Sequence, residues 1–151
     1  MNKIHIGVIG ASQCDEKLKK IAERIGELIA ENGWVLISGG MGGVMEYASK
    51  GAKNKKGLVV GIIPSDRKED GNPYIDVKIV TGLNEARNQI IVLSSDFLIA
   101  IGGSYGTLSE IAFGLKRKKP ILGINTWNIE GITPVRTPEE AIKKIKEKIL
   151  K

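Results

Sequence analysis

One cysteine and one histidine in 151 residues leave little room for thiol or imidazole chemistry. A lone Cys14 cannot close an intramolecular disulfide, which suits a reducing compartment. His5 has no second histidine to work with, so neither a dedicated metal site nor a Ser-His-Asp triad is supported. Aromatic residues make up only 5% of the chain, so aliphatic side chains must build the interior. No apolar run reaches the roughly 18 residues of a membrane-spanning helix. The start, Met1-Asn2-Lys3, lacks the long apolar stretch of a signal peptide. These absences predict a cytoplasmic chain with no membrane segment, no metal and no other cofactor. The named nucleotide loops are missing too. There is no G-x-x-x-x-G-K-[ST], and Gly7-Val8-Ile9-Gly10-Ala11-Ser12 is not G-x-G-x-x-G. The second apolar segment ends in Ser38-Gly39 rather than in an acidic residue that could hold a ribose hydroxyl, which disfavours NAD binding.

Glycine is abundant instead. Nineteen glycines exceed the usual share of about 7%, and they gather where apolar segments end, as tight turns and close backbone approaches require. A short β-branched run at 4–9 predicts a buried strand. Leu18, Ile21, Ala22, Ile25, Leu28 and Ile29 then recur at helical spacing up to a stop at Asn32-Gly33. Further strands are expected at 34–37, 58–63, 75–80, 97–101 and 120–124. Further helices are expected at 44–53, 84–94, around 108–115, and from Pro138 onward through Ala141, Ile142, Ile145 and Ile149. The polar stretch 65–72 reads as a mobile loop able to cover a site. Alternation of strands and helices predicts one α/β domain over 1–151: a doubly wound, Rossmann-like, mainly parallel sheet with helices on both faces.

Ligands of such sheets bind beyond the carboxyl ends of the strands. Three small-residue loops leave strands at that edge: Gly10-Ala11-Ser12, Ser38-Gly39-Gly40-Met41-Gly42-Gly43, and Gly102-Gly103-Ser104-Tyr105-Gly106-Thr107. Two lead straight into helices, whose first N–H groups and positive dipole end suit an anion. Phosphate is the natural guest, with hydroxyl bonds available from Ser12 and Thr107. Near the third loop, Glu110 shares a helix face with Thr107, and Arg87 begins the preceding helix at the same sheet edge. Arginine clamps phosphate, and a carboxyl can serve as acid or base beside a sugar ring. Charge compensation at a helix start explains Glu110 equally well, and a salt bridge explains Arg87. The net charge of +6 agrees with an anionic partner. Lys116-Arg117-Lys118-Lys119 is the best support for a DNA-binding module, but an ordinary basic helix end accounts for it, and no nucleic-acid partner is expected.

Gly102-Gly103-Ser104-Tyr105-Gly106-Thr107-Leu108-Ser109-Glu110 resembles the P-G-G-x-G-T-x-x-E signature of the Lonely Guy family, which includes cytokinin-riboside-monophosphate phosphoribohydrolases. Arg87 falls at the arginine of that family's M-x-x-R-K motif. Gly102 and Ser104 depart from the first motif, and Asn84 and Asn88 from the second. The segment 39–46 is similar to the branch related to molybdenum-cofactor carrier proteins and, more distantly, to the DNA-processing protein of natural transformation. The resemblance implies a phosphorylated small-molecule partner bound by Gly10, Ser12, Gly39, Gly40, Gly42, Gly43, Gly103, Ser104, Gly106 and Thr107. Arg87 and Glu110 would act at the N-glycosidic bond of a nucleoside 5′-monophosphate, giving free base and ribose 5-phosphate. The alternative it implies is a carrier or sensor that binds a phosphorylated pterin or nucleotide without turnover. It also implies a homo-oligomer built from dimers, for which the apolar face of the 108–115 helix could serve.

Overall fold

The computed structural model describes residues 2–151. Its strands, β1 (His5–Gly10), β2 (Val35–Ser38), β3 (Leu58–Ile63), β4 (Val77–Val80), β5 (Phe97–Ile101), β6 (Ile121–Ile124) and β7 (Ile132–Pro134), form one sheet in the order β4-β3-β2-β1-β5-β6-β7. Every pairing is parallel. The helices are α1 (Glu16–Glu31), α2 (Val44–Asn54), α3 (Asn88–Ser94), α4 (Tyr105–Lys116) and α5 (Pro138–Ile149). The expected Rossmann-like architecture is therefore present, with the chain winding one way from β1 to β4 and the other way from β5 to β7.

The two-residue period of the strands divides their side chains between two cores. Ile6 and Val8 of β1, with Phe97, Ile99 and Ile101 of β5, pack with α1, α2 and α5. Ile9, Leu98 and Ala100 face the other way and pack with Ile91 and Val92 of α3 and Ile111 of α4. Helix starts are held by side chains where the sequence supplies them. Asp15 accepts from the Leu18 N–H at 2.9 Å, and Thr137 accepts from the Glu140 N–H at 3.1 Å with Pro138 opening the helix.

Helices α1 and α2 touch backbone to backbone. A Cβ on Gly26 would stand 1.9 Å from the Ala48 carbonyl oxygen, and one on Gly51 1.9 Å from that of Glu23. Gly26→Ala is accordingly expected to destabilise the protein by about 2 kcal/mol. An overpacking cost of roughly 3 kcal/mol outweighs the roughly 1 kcal/mol that alanine gains in helix propensity. A thermal melt lowered by several degrees would bear this out, and an unchanged or raised melt would refute it.

Three segments differ from the sequence expectation. The helix expected over 84–94 begins with a 3-10 turn, Asn84–Arg87, and turns α-helical only from Asn88. Asn84 sits at φ 53°, outside the right-handed helical range. β7 was not foreseen: it is three residues long and ends in Pro134, which an edge position tolerates. The stretch 65–72, read as a loop, holds a 3-10 turn at Lys68–Asp70 and is fastened at its end. Asn72 is buried, its backbone N–H donates to the Gly40 carbonyl at 2.8 Å, and its side-chain amide donates to the Met41 carbonyl at 3.0 Å. Among the described residues no helix is long and apolar enough to cross a membrane.

Candidate functional site

Strand order reverses between β1 and β5, and the helices that follow these strands leave in opposite directions, which opens a crevice at their carboxyl ends. A cavity of about 480 Å³ lies there. Of the residues singled out by sequence, Gly10, Ser12, Gly39, Arg87, Ser104, Gly106, Thr107 and Glu110 line it. Gly40, Gly42, Gly43 and Gly103 do not.

The reason is a close approach of two loops. Gly43 stands at φ 67° at the start of α2, and a Cβ there would lie 2.3 Å from the Ala11 carbonyl oxygen and 2.4 Å from that of Ser12. The Val44 N–H then donates to the Ala11 carbonyl at 2.9 Å. The backbone start of α2 is thus knitted to the loop after β1, and of its first turn the Met45 side chain lines the cavity. Gly40, at φ 73°, packs its α-carbon face against Ile63 and Ile75. Gly103 turns the chain at φ 108° and lets Thr107 fold back over it.

The start of α4 is built differently. No side chain caps it, and its first backbone bond is Leu108 N–H to the Ser104 carbonyl at 3.0 Å. The N–H groups of the first turn therefore remain donors for an anion. Gly102, where the family signature has proline, sits at φ 59°, a conformation closed to proline. The Thr126 hydroxyl donates to the Gly102 carbonyl at 2.6 Å and holds this turn.

Arg87 reaches into the cavity from the 3-10 turn. One terminal nitrogen donates to the Gly39 carbonyl at 3.4 Å, and the other donates to the Asn88 side-chain oxygen. Its buried Nε–H meets no acceptor among the described residues. Asn88, itself buried, donates to the Ser109 hydroxyl at 3.2 Å, and that hydroxyl donates to the Gly106 carbonyl at 2.7 Å. A chain of hydrogen bonds therefore runs from the guanidinium to the first turn of α4. Asn88 and Glu85, which also lines the cavity, went unassigned by sequence. Their adjacency to Arg87 was the available signal.

Glu110 is 7% exposed, one turn inside α4. Desolvation raises its carboxyl pKa to about 8, and the nearby Arg87 charge offsets only part of that rise. Burial in turn pulls Arg87 below the usual arginine range, while Glu110 and Glu85 push back. At neutral pH the cavity lining thus holds a protonated carboxyl and a guanidinium. Because the folded protein keeps a proton on Glu110 that the unfolded chain has lost, stability falls as pH rises between about 4.5 and about 8. The decline amounts to a few kcal/mol, at about 1.4 kcal/mol per pKa unit. Glu110→Gln should match the wild-type melting temperature near pH 4.5 and exceed it above pH 8. Parallel pH–melting curves for the two proteins would contradict this. Among the described residues no group of three His, Cys, Asp or Glu side chains is placed to hold a metal ion.

With this geometry in place, comparison with known proteins adds the family. Residues 3–149 match the model of the SLOG cluster4 family. The chain belongs to that family. Among solved structures, this SLOG cluster4 chain is similar to the molybdenum cofactor binding protein of Rippkaea orientalis, with 42% identity, a TM-score of 0.94 and 99% of each chain covered. It is similar also to the molybdenum cofactor carrier protein of Chlamydomonas reinhardtii, at 34% identity and TM-score 0.92, over 99% of this chain and 100% of that one. By sequence it is 31% identical over 126 residues to a cytokinin riboside 5′-monophosphate phosphoribohydrolase of Mycobacterium tuberculosis, covering 78% of this chain and 67% of that protein. The likeness expected from Gly102 through Glu110 toward the phosphoribohydrolases, and from 39–46 toward the molybdenum-cofactor carriers, is thus found in both directions.

Proposed function

We propose that the cavity binds a phosphorylated, nucleotide-like ligand with its phosphate at the first turn of α4, and that Arg87 and Glu110 hydrolyse the N-glycosidic bond of a nucleoside 5′-monophosphate there. The observation that carries this reading is the buried Glu110 carboxyl, protonated near neutral pH and set beside Arg87 inside the cavity. A proton held at pH 7 by a buried acid is available to a leaving base. Glu110 gives it to the base nitrogen as the C1′–N bond breaks. Water adds to C1′, and the carboxylate takes the proton that this water releases. The products are free base and ribose 5-phosphate, with Glu110 restored. Arg87 and the α4 N–H groups hold the phosphate, which anchors the sugar between the two side chains.

A second reading, carriage of a phosphorylated pterin without turnover, is favoured by the end-to-end likeness to the two molybdenum-cofactor proteins. Incubation with a panel of nucleoside 5′-monophosphates, followed by chromatography for free base, separates the two. Base release supports hydrolysis. Nucleotides that raise the melting temperature but stay intact support carriage. Neither effect would remove the hydrolysis reading. Self-association belongs to the same proposal. Ile111 of α4 is buried against the chain's own sheet, while Leu108, Ala112 and Phe113 of the same helix keep exposed surface that a second copy could cover. Sedimentation of the purified protein at several concentrations tests whether it does.

A further inference from the structure

A second cavity, of about 270 Å³, lies beyond the carboxyl end of β6. The loop 102–107 stands between it and the main cavity. Ser104 and Gly106 line the main one. From the second, the Trp127 indole N–H donates to the Ser104 carbonyl at 3.1 Å, and Thr126 holds the Gly102 carbonyl. Tyr105, between Ser104 and Gly106, is 81% exposed, an unusual placement for a large aromatic ring. Its ring centroid lies 6.2 Å from that of Trp127, with the planes tilted by 34°. Trp127 is half-buried, backed by the core under α4, and its ring is oriented by the bond to Ser104. Core packing accounts for Trp127 in part, but it does not account for Tyr105.

The cavity beside this pair has no charged side chain in its lining. It suits a neutral ring rather than a phosphate. Asn125 and Asn128 line it, and their side-chain amides bond to no protein group among the described residues. Each offers both a donor and an acceptor, which is the pattern that reads the edge of a nitrogen heterocycle. We infer that Tyr105 and Trp127 form a stacking subsite for the planar heterocycle of a phosphorylated ligand that is carried rather than cleaved, with Asn125 and Asn128 bonding to its edge; a ring seated here, across loop 102–107 from Glu110, takes no proton from that carboxyl. This rests on the reading of loop 102–107 as the phosphate site. Aromatic faces accept any flat ring, so the platform gives affinity and the amides give selectivity.

The chain has two tryptophans, so Trp34→Phe leaves Trp127 as the only one. In that background, guanosine 5′-monophosphate should quench the Trp127 fluorescence immediately on mixing, and ribose 5-phosphate, which has no ring, should not. By calorimetry, Trp127→Ala should weaken guanosine 5′-monophosphate about tenfold or more and Trp127→Phe much less, with ribose 5-phosphate unchanged. Tyr105→Ala, at a position 81% exposed, leaves the fold intact and should weaken the nucleotide about fivefold. No quench, together with unchanged nucleotide affinity in Tyr105→Ala and Trp127→Ala, overturns the subsite. If ribose 5-phosphate still binds in that case, the phosphate reading survives alone. If neither probe binds, both fall.

Discussion

Glu110→Gln is expected to slow release of free base from a nucleoside 5′-monophosphate by about 10²–10⁴-fold, the usual contribution of a positioned acid or base. Glutamine keeps the shape and can still donate a hydrogen bond from its amide. It cannot transfer a proton to the leaving nitrogen or take one from water. The substitution also removes the cost of ionising a buried carboxyl, so the variant should be at least as stable as wild type at pH 8. Lost activity in a protein that melts no lower therefore cannot be assigned to unfolding. The wild-type rate should decline above about pH 8 as the acid form disappears. Single-turnover base release across pH 6–9 measures both effects. A variant within about tenfold of wild type would end the role assigned to Glu110.

Gly43→Ala should produce the largest loss of stability, about 3–5 kcal/mol. A side chain at φ 67° costs roughly 1–2 kcal/mol, and the clash adds overpacking of up to about 3 kcal/mol. The groups in the way are backbone carbonyls of Ala11 and Ser12, which cannot swing aside as a side chain could. To make room, the loop after β1 must move away from α2, and Gly10 and Ser12 of that loop line the cavity. Ligand affinity should fall together with the melting temperature. At roughly 2–4 °C per kcal/mol for a chain of this size, the melt should drop by about 10 °C. A drop of no more than a degree or two would mean that the two loops are not in the tight contact described.

The alternation of apolar strands and periodic helices made the doubly wound sheet legible, since β1, β3 and β5 are apolar because both faces of the sheet are covered. β7 was not legible. Three residues flanked by Gly131 and closed by Pro134 carry too little period to be told from a loop. The helical pattern from Ile90 onward extended the expected α3 backward across residues that form a 3-10 turn, and this turn sets the direction of Arg87. The glycines show why a site can be half read. Gly43 permits contact between two protein backbones, whereas Gly106 lies in an uncapped helix start that faces the cavity. In sequence both are a glycine ahead of a helix, and only the neighbours across space distinguish them. The raised pKa of Glu110 was equally hidden, because burial of one side chain depends on every element packed around it.

A crystal structure of the protein soaked in ribose 5-phosphate tests the central claim most directly. The account predicts the phosphate within hydrogen-bonding distance of the Gly106 and Thr107 backbone N–H groups and C1′ between Arg87 and Glu110. Ribose 5-phosphate seated outside this cavity, or absent at concentrations that saturate the protein in solution, would contradict it.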